Sequence, residues 1–301
     1  MSDLRKVWQV EIDLLSVLLD VCNKYGLRVW ADGGTLLGAV RHKGFIPWDD
    51  DIDLSMPRPD YDRLLSIGDK AFSHPYFLQS AYSDQAYSRG HAQLRRSDTA
   101  AIRPSDSYRP FNQGIFIDIF PLDGVSDNLE ETNRTVGEAR RIMKLLKAYD
   151  THLLASGRLG LIFRKLKSRR LVKQRGWSAI FADAESLLRS IPWDEASRVA
   201  ELGFSGTEII FERRIFDETV WLPFEHIQIP APAGYDLLLR TQYGDDYMTP
   251  QRSRSYHGEL VFDTEHSYTE VLPTVWADYK RSVPHRLLHK LLSPLNNETH
   301  S

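Results

Sequence analysis

Apolar residues recur every three or four positions at the beginning of the chain, and the positions between them are mostly polar or charged. The residues that share this spacing are Leu4, Trp8, Ile12, Leu15, Leu19 and Cys22. A helix with one apolar stripe packs that side on the protein core. The pattern therefore predicts an amphipathic helix over residues 3 to 24, followed by Gly26 as a candidate helix C-cap.

In the rest of the chain, segments with a hydrophobic residue at every second position, as in strands, alternate with segments that have one at every third or fourth position, as in helices. Strands are predicted at residues 28–31, 51–56, 76–80, 92–96, 114–120, 208–211 and 219–229. Helices are predicted at residues 60–71, 126–150, 178–190, 194–202 and 235–243. Near the end, one apolar stripe is formed by Leu287, Leu288, Leu291, Leu292 and Leu295. That stripe favours packing on the body or on a second copy over a membrane anchor.

Two acidic side chains alternate with apolar ones in the strand predicted at residues 51–56. In an extended chain, Asp51 and Asp53 project from one face, while Ile52 and Leu54 enter the core. Carboxylates held this close repel one another unless a cation lies between them, and oxygen ligands of this kind suit Mg²⁺ or Mn²⁺. The strand therefore predicts a divalent-metal site that leaves positions for substrate phosphates.

A pair of glycines stands between the first strand and the apolar residues that follow it. Gly33 and Gly34, with Thr35, would let backbone amides and a helix N-terminus approach an anion closely. We expect a phosphate bound at this turn to lie beside the metal. The alternative is a tight turn that binds nothing.

A family resemblance becomes visible in these same residues. Residues 34–41 read Gly-Thr-Leu-Leu-Gly-Ala-Val-Arg, and residues 44–53 read Gly-Phe-Ile-Pro-Trp-Asp-Asp-Asp-Ile-Asp. Together with residues 116–122, 223–225 and 234–248, they closely resemble the LicD family, which includes the fukutin-related proteins. The resemblance covers roughly residues 28 to 258. It implies an α/β (α+β) fold of the nucleotidyltransferase type, a mixed sheet flanked by helices with a helical insertion.

The same resemblance implies the activity, the transfer of phosphocholine or a polyol phosphate from a CDP-activated donor to a cell-surface glycan. Asp51 and Asp53 would hold the metal, and Asp118 would complete the set or take the proton of the acceptor hydroxyl. A structural salt bridge is the other interpretation of Asp118. Asp49 matches a family aspartate and is a further candidate metal contact, whereas Asp50 is expected to be solvated.

The remaining candidate residues would contact the substrates. Arg41 would neutralise donor phosphate unless it forms a surface salt bridge, and Arg95, which matches a family position, is favoured over Arg96 for the same task. Trp48 would stack on the cytosine or enclose a choline group, since quaternary ammonium groups favour aromatic faces, although core packing explains it equally well. The other candidates for substrate binding are Gly33, Gly34, Thr35, Gly38 and His257, the last with a metal, phosphate or structural role.

Residues 151–182 contain no acidic side chain and eight basic ones between positions 158 and 175. Leu159, Ile162, Phe163 and Leu166 fall on one helical face, so a basic amphipathic helix is predicted. Such a helix lies on an anionic membrane surface or is solvated on the surface of the domain. Both interpretations stay open.

Composition excludes several classes of protein and changes little else. The chain of 301 residues is 42% hydrophobic and 26% charged, with a formal net charge of −3, so nucleic acid is not an expected partner. Cys22 is the single cysteine, which excludes an intrachain disulfide and a zinc site built from several thiolates. Neither a signal-peptide core nor a spanning run is apparent, so a cytoplasmic location is expected, with any membrane contact at its inner face.

The expected organisation is an N-terminal helix at residues 1–28, a catalytic domain at 29–270 with a basic helical insertion at about 151–203, and a helical tail at 271–301. The leading hypothesis is transfer of phosphocholine from CDP-choline to a hydroxyl of a teichoic acid, lipopolysaccharide or capsule precursor, including lipid-linked forms. A CDP-ribitol or CDP-glycerol donor is the alternative within the enzyme class. A glycan- or nucleotide-binding module without catalytic activity is the alternative outside it.

Overall fold

The structure is a computed structural model that describes residues 4–149, 161–251 and 260–292, with side chains described up to residue 282 in the last of these ranges. Its helices are α1 (Leu4–Tyr25), α2 (Gly33–His42), α3 (Arg58–Ala71), α4 (Leu129–Tyr149), α5 (Leu161–Arg175), α6 (Trp177–Leu188), α7 (Tyr235–Tyr243) and α8 (Tyr268–Leu292). Within these parts of the chain, no helix combines the length and the apolar character that crossing a bilayer requires.

The strands are β1 (Trp30–Ala31), β2 (Asp53–Pro57), β3 (Tyr76–Gln79), β4 (Ala92–Arg96), β5 (Ala100–Ile102), β6 (Ile115–Val125), β7 (Arg198–Ala200), β8 (Phe211–Glu212), β9 (Thr219–Phe224), β10 (Ile227–Pro232) and β11 (Val261–Asp263). Five of them form a mixed sheet in the order β1-β2-β6-β4-β3, in which β2 and β6 are parallel and the other neighbours antiparallel. This sheet with flanking helices confirms the predicted α+β class.

The central strand of this sheet is β6, and every one of its residues is buried. Ile115, Ile117 and Ile119 alternate with Phe116 and Asp118, as period-two spacing predicts, and all three isoleucines are fully buried. The far end of β6 pairs with β7, which in turn pairs with β8. The strand therefore links the five-stranded sheet to the segments that follow the helical region.

Helices α4, α5 and α6 surround a second apolar cluster beside the sheet, which includes Val136, Met143, Phe181 and Leu188. A buried ion-pair network fixes this cluster to the sheet. The Arg58 guanidinium donates from Nε and Nη2 to the two oxygens of Asp123 on β6, at 2.6 and 2.8 Å. Its Nη1 donates to Glu185 Oε1 on α6 at 3.2 Å.

The structure corrects several predicted boundaries. The helix predicted at residues 194–202 is wrong, because residues 198–200 form β7, whose pairing with β6 outweighs the local preference. The strand predicted at 219–229 is a hairpin of β9 and β10 that turns at Glu225, a residue with φ of 52°. The predicted helix at 60–71 begins earlier, at Arg58, and includes Pro59 in its first turn. Proline is tolerated there because the N–H that it lacks would have no hydrogen-bond partner in the first turn of a helix.

Candidate active site

The diglycine turn forms the first turn of α2 and faces the acidic residues. Asp32 is the N-cap, with its Oδ1 accepting a hydrogen bond from the Gly33 N–H at 2.7 Å. Gly33 has a φ of +50°, and a Cβ at this position would lie 3.2 Å from Asp53 Oδ2. A Cβ at Gly34 would collide with Asp49 Oδ2. The two glycines therefore leave the space that the carboxylates of Asp49 and Asp53 occupy.

Strand β2 brings Asp53 beside Asp118. The two are direct partners in the register of the parallel strands β2 and β6. The Asp53 backbone is fixed from both directions, since its N–H donates to Thr35 Oγ1 at 2.8 Å and its carbonyl accepts from the Asp32 N–H at 3.0 Å. Thr35, predicted to contact substrate, thus has a buried hydroxyl that positions Asp53.

Three consecutive carboxylates converge just before β2. One oxygen from each of Asp49, Asp50 and Asp51 lies within 4.8 Å of those of the other two, an arrangement that can hold a metal ion. All three residues are partly buried, including Asp50, which was expected to be solvated. The loop carrying them is attached to α1, where Trp8 Nε1 donates to the Asp49 carbonyl at 3.0 Å.

Further acids surround these residues. Glu11 on α1 is buried, and its Oε2 has no hydrogen-bond partner among the described residues. Burial raises its pKa well above the ordinary value, and the charge of Asp51 raises it further. Burial likewise raises the pKa of Glu201, and Asp32 is the next contributor. A set of buried, mutually repelling carboxylates has an electrostatic need for cations.

The pKa shifts inside the cluster have the same origin. Burial raises the pKa of Asp49 to about 8, and the charge of Asp51 is the second cause. Burial also raises the pKa of Asp53 well above its ordinary value, with Asp51 and Asp118 contributing next. The phenol of Tyr243 on α7 faces the same carboxylates, and burial followed by the charge of Asp53 raises its pKa. Burial and mutual repulsion therefore favour the protonated form of Asp49 and Asp53 when no cation is bound.

Asp118 is held on one side by neutral and basic groups. Its Oδ1 accepts a hydrogen bond from Gln93 Nε2 at 2.6 Å, and His91 Nε2 lies 2.9 Å from the same oxygen. Gln93 on β4 is the register partner of Asp118, so both side chains share one face of the sheet. This arrangement fixes the orientation of the Asp118 carboxylate toward the acidic cluster.

Three residues that were predicted to bind substrate, Arg41, Gly38 and Trp48, make contacts with other parts of the protein. Arg41 Nη1 donates to the carbonyls of Tyr247 and Thr249, at 2.8 and 3.5 Å, and so fixes that segment beside α2. Gly38 is required because a Cβ there would collide with the Gly44 carbonyl. Trp48 is half-buried and packs against the apolar core, which agrees with the structural interpretation.

The two arginines on β4 differ. Arg95 is buried, and it donates to Gln79 Oε1, the Gly114 carbonyl and Gln93 Oε1. Arg96 forms ion pairs with Asp13 and Asp98, at 2.7 and 2.9 Å, on the other side of the strand. Of the two, Arg95 is therefore the one connected to Asp118 through Gln93. His257 lies outside the residues that the structure describes.

Sequence reasoning missed three acids of the site. Asp32 directly precedes the diglycine pair, which is the signature of a helix N-cap. Glu11 stands among the buried positions of α1, between Val7 and Leu14, and an acid on such a stripe is itself an indication of function. Glu201 was hidden by the wrong helix assignment, since nothing local places residues 198–200 in the sheet.

Comparisons with known proteins agree with this geometry. Residues 26–150 match the family described as LicD/FKTN/FKRP, nucleotidyltransferase domain. The chain is 33% identical over 139 residues to the lipopolysaccharide cholinephosphotransferase LicD of Haemophilus influenzae, covering 46% of this chain and 51% of that protein. It is 49% identical over 39 residues to the human ribitol 5-phosphate transferase FKRP, covering 13% of this chain and 8% of that protein.

A Rickettsia prowazekii protein of unassigned function is 39% identical over 64 residues, or 21% of this chain and 22% of that protein. The matched stretch of the chain corresponds to about half the length of the Haemophilus relative. The family match contains the diglycine turn, the aspartates of β2 and its preceding loop, and Asp118. Residues 26–150 are therefore similar to the nucleotidyltransferase domain of the LicD family.

Proposed function

We propose that this protein is a divalent-metal-dependent transferase that moves phosphocholine from CDP-choline to a hydroxyl of a cell-surface glycan. The observation that carries the proposal is the diglycine turn facing the carboxylates of Asp49 and Asp53, with Asp118 on the next strand. A helix N-terminus next to cation-binding carboxylates suits a diphosphate substrate. The name of the Haemophilus relative supports choline phosphate as the transferred group.

The chemistry of the acids fits Mg²⁺ or Mn²⁺. The ligands are all carboxylate oxygens, which these ions prefer, and Glu11 Oε2 is a buried oxygen without a hydrogen-bond partner among the described residues. Asp49, Asp50 and Asp51 would hold one ion, with Asp53 and Asp118 beside it. When bound, such a cation neutralises charge on the diphosphate and on the departing CMP.

The protein's own residues account for orientation and proton transfer. The acceptor oxygen forms a bond to the phosphorus that carries choline, and the bond from that phosphorus to the oxygen retained by CMP breaks. Asp118 accepts the hydroxyl proton, with its orientation fixed by Gln93. The products are CMP and a phosphodiester.

A CDP-ribitol or CDP-glycerol donor is the second candidate, favoured by the similarity to the ribitol 5-phosphate transferase. All three donors present the same CMP and diphosphate to the acids. A panel of CDP-choline, CDP-ribitol and CDP-glycerol, scored by CMP release with purified acceptor glycans, tests the assignment. Release from CDP-choline that depends on Mg²⁺ or Mn²⁺ and stops with EDTA is the expected result. Activity that persists in EDTA contradicts the metal requirement.

A binding module without catalysis is the alternative of another class. In that case CMP release would be equal for the wild type and for Asp53→Ala. Retention of so many repelling acids argues against it, because an inactive scaffold gains no stability from them.

A further inference from the structure

A small cleft lies on the same sheet as the acidic site, and its chemistry is opposite to that of the acids. Three arginines contribute to its wall, and apolar side chains form most of the remainder. The lining consists of Arg89, Arg95, Ala101, Arg103, Asp106, Phe111, Gln113, Phe116 and Leu260. We call this cleft the arginine pocket.

The charges of the arginine pocket are only partly balanced by acids, since Asp106 and Asp118 act on Arg103 without forming an ion pair with it. Its single carboxylate, Asp106, is ion-paired with Arg109 at 3.2 Å. Among the described residues, no carboxylate forms an ion pair with Arg89, Arg95 or Arg103. Like charges held together in a partly desolvated cleft are unfavourable unless an anion joins them.

Two of the three arginines lack an acidic partner, and one of them also has a buried N–H without a hydrogen-bond acceptor among the described residues. Arg95 is buried, lies 4.6 Å above the Phe116 ring, and donates only to neutral oxygens. Arg103 Nε is buried and has no hydrogen-bond partner among the described residues. Burial lowers the pKa of Arg103, and the charge of Arg89 lowers it further. A guanidinium fork with open donors is the group that recognises phosphate best.

One amide side chain connects the pocket to the site of transfer. Gln93 Oε1 accepts from Arg95 Nη2 at 2.5 Å, while Gln93 Nε2 donates to Asp118 Oδ1 at 2.6 Å. Arg95 and Phe116 are register partners on β4 and β6, as are Gln93 and Asp118. The pocket and Asp118 are therefore neighbours on one face of the sheet.

We propose that the arginine pocket binds a phosphate group carried by the acceptor, and so places the accepting hydroxyl near Asp118. The assignment to the acceptor rests on the proposed function, in which the donor diphosphate occupies the diglycine turn and the acids. A choline group is a cation and is repelled by Arg89, Arg95 and Arg103. An acceptor that carries a phosphate near its hydroxyl, such as a phosphorylated sugar or polyol, matches both the charge and the apolar wall.

Binding of inorganic phosphate to metal-free protein tests the pocket without any assumption about catalysis. In EDTA the acids repel anions, so phosphate that stabilises the protein must bind elsewhere. We expect calorimetric titration to show phosphate binding in the wild type and about tenfold weaker binding in Arg103→Gln and in Arg89→Gln. Arg134→Gln, an exposed arginine on α4, is the matched control and should bind as the wild type does.

Absence of phosphate binding in the wild type overturns the proposal, as does unchanged affinity in both folded variants. Unfolding temperatures in phosphate-free buffer identify any variant that fails to fold. If one of the two arginine variants fails to fold, the phosphate affinity of the other one tests the proposal. These results are independent of donor turnover, so failure of the pocket and failure of the transferase assignment are separable.

The source of the phosphate is tested by loading the protein with CDP-choline and Mg²⁺ before the titration. If the pocket serves the acceptor, phosphate affinity in the loaded protein stays within about twofold of that in EDTA, because the two ligands occupy different places. Loss of phosphate binding in the loaded protein contradicts the acceptor assignment and shows that the donor occupies the pocket.

Discussion

Asp53 and Asp118 stand opposite each other on adjacent parallel strands, so two carboxylates from residues far apart in the chain are neighbours at the centre of the sheet. Parallel pairing requires the long connection that runs between β2 and β6. Asp53 and the aspartates that precede β2 therefore acquire Asp118 as a neighbour only when β2 pairs with β6.

Replacement of Asp53 by asparagine should lower the activity and raise the stability of the metal-free protein. We expect Asp53→Asn to lower CMP release about a hundredfold or more, because it removes a charged group beside the proposed diphosphate site. In EDTA the same variant should be more heat-stable than the wild type, since one source of repulsion with Asp51 and Asp118 is lost. Asp118→Asn should likewise lose activity. Calorimetric melts and CMP assays provide both measurements.

Asp20→Asn, at an exposed position of α1, is the matched control and should leave both properties unchanged. A metal-free Asp53→Asn protein that melts below the wild type would show that Asp53 has a structural rather than a cation-binding role.

Gly34 should tolerate no side chain. Gly34→Ala places a Cβ against Asp49 Oδ2 and displaces that carboxylate, so Mg²⁺ or Mn²⁺ affinity should fall about tenfold or more while the fold is retained. Isothermal titration with the metal alone measures the change. Gly137→Ala on α4, where a Cβ meets nothing within 4 Å, is the matched control. Equal metal affinity in the two variants would refute the close approach of Asp49 to the turn.

The metal-free protein should lose stability as the pH rises. Asp49 has a pKa raised from 3.8 to about 8 in the folded state, so between about pH 4 and pH 8 the folded protein keeps a proton that the unfolded chain has released. The stability that this proton contributes is complete below about pH 4 and is lost by about pH 8. Unfolding free energies measured in EDTA across this range check the slope.

Asp49→Asn should have a shallower slope than the wild type, and Mg²⁺ should stabilise the wild type most at the alkaline end. If the unfolding free energies of the wild type and of Asp49→Asn change with pH in the same way, Asp49 is not the group whose titration lowers the stability.

The buried network around Arg58 should be important for the fold. Arg58→Ala leaves Asp123 and Glu185 buried without their cation, so we expect a loss of about 3–5 kcal/mol in unfolding free energy. Arg63→Ala, at an exposed position of the same helix, should change it little. Urea denaturation monitored by tryptophan fluorescence compares the two. Similar midpoints would mean that the helical cluster is held to the sheet by apolar packing alone.

Helix α5 should mediate any contact with an anionic membrane. Phe163 and Leu166 are 82% and 59% exposed among basic residues, which suits insertion below lipid headgroups. In co-sedimentation with phosphatidylglycerol vesicles at low salt, Phe163→Glu should bind about tenfold more weakly than the wild type. Leu237→Glu, on the exposed side of α7, is the control. No sedimentation of the wild type would leave α5 as a solvated helix.

The sequence alone determined the elements with strong periodicity and the chemistry of the signature stretch. The spacing of α1, the alternation in β6 and the diglycine pair before apolar residues are local properties, so the pattern predicts them without a partner. Mg²⁺ or Mn²⁺ and the substrates remain predictions, although the residue types that would hold them are visible in residues 33–53.

Only the tertiary structure decided which distant residues join that stretch. Glu11, Glu201 and Tyr243 lie on three other segments, and each reaches the acids because sheet pairing and helix packing bring it there. The arginine pocket likewise combines Arg95 on β4 with Arg89 from the loop before β4 and Arg103 from the loop after β5. Burial and long-range charge depend on three-dimensional distance, and spacing along the chain reports neither.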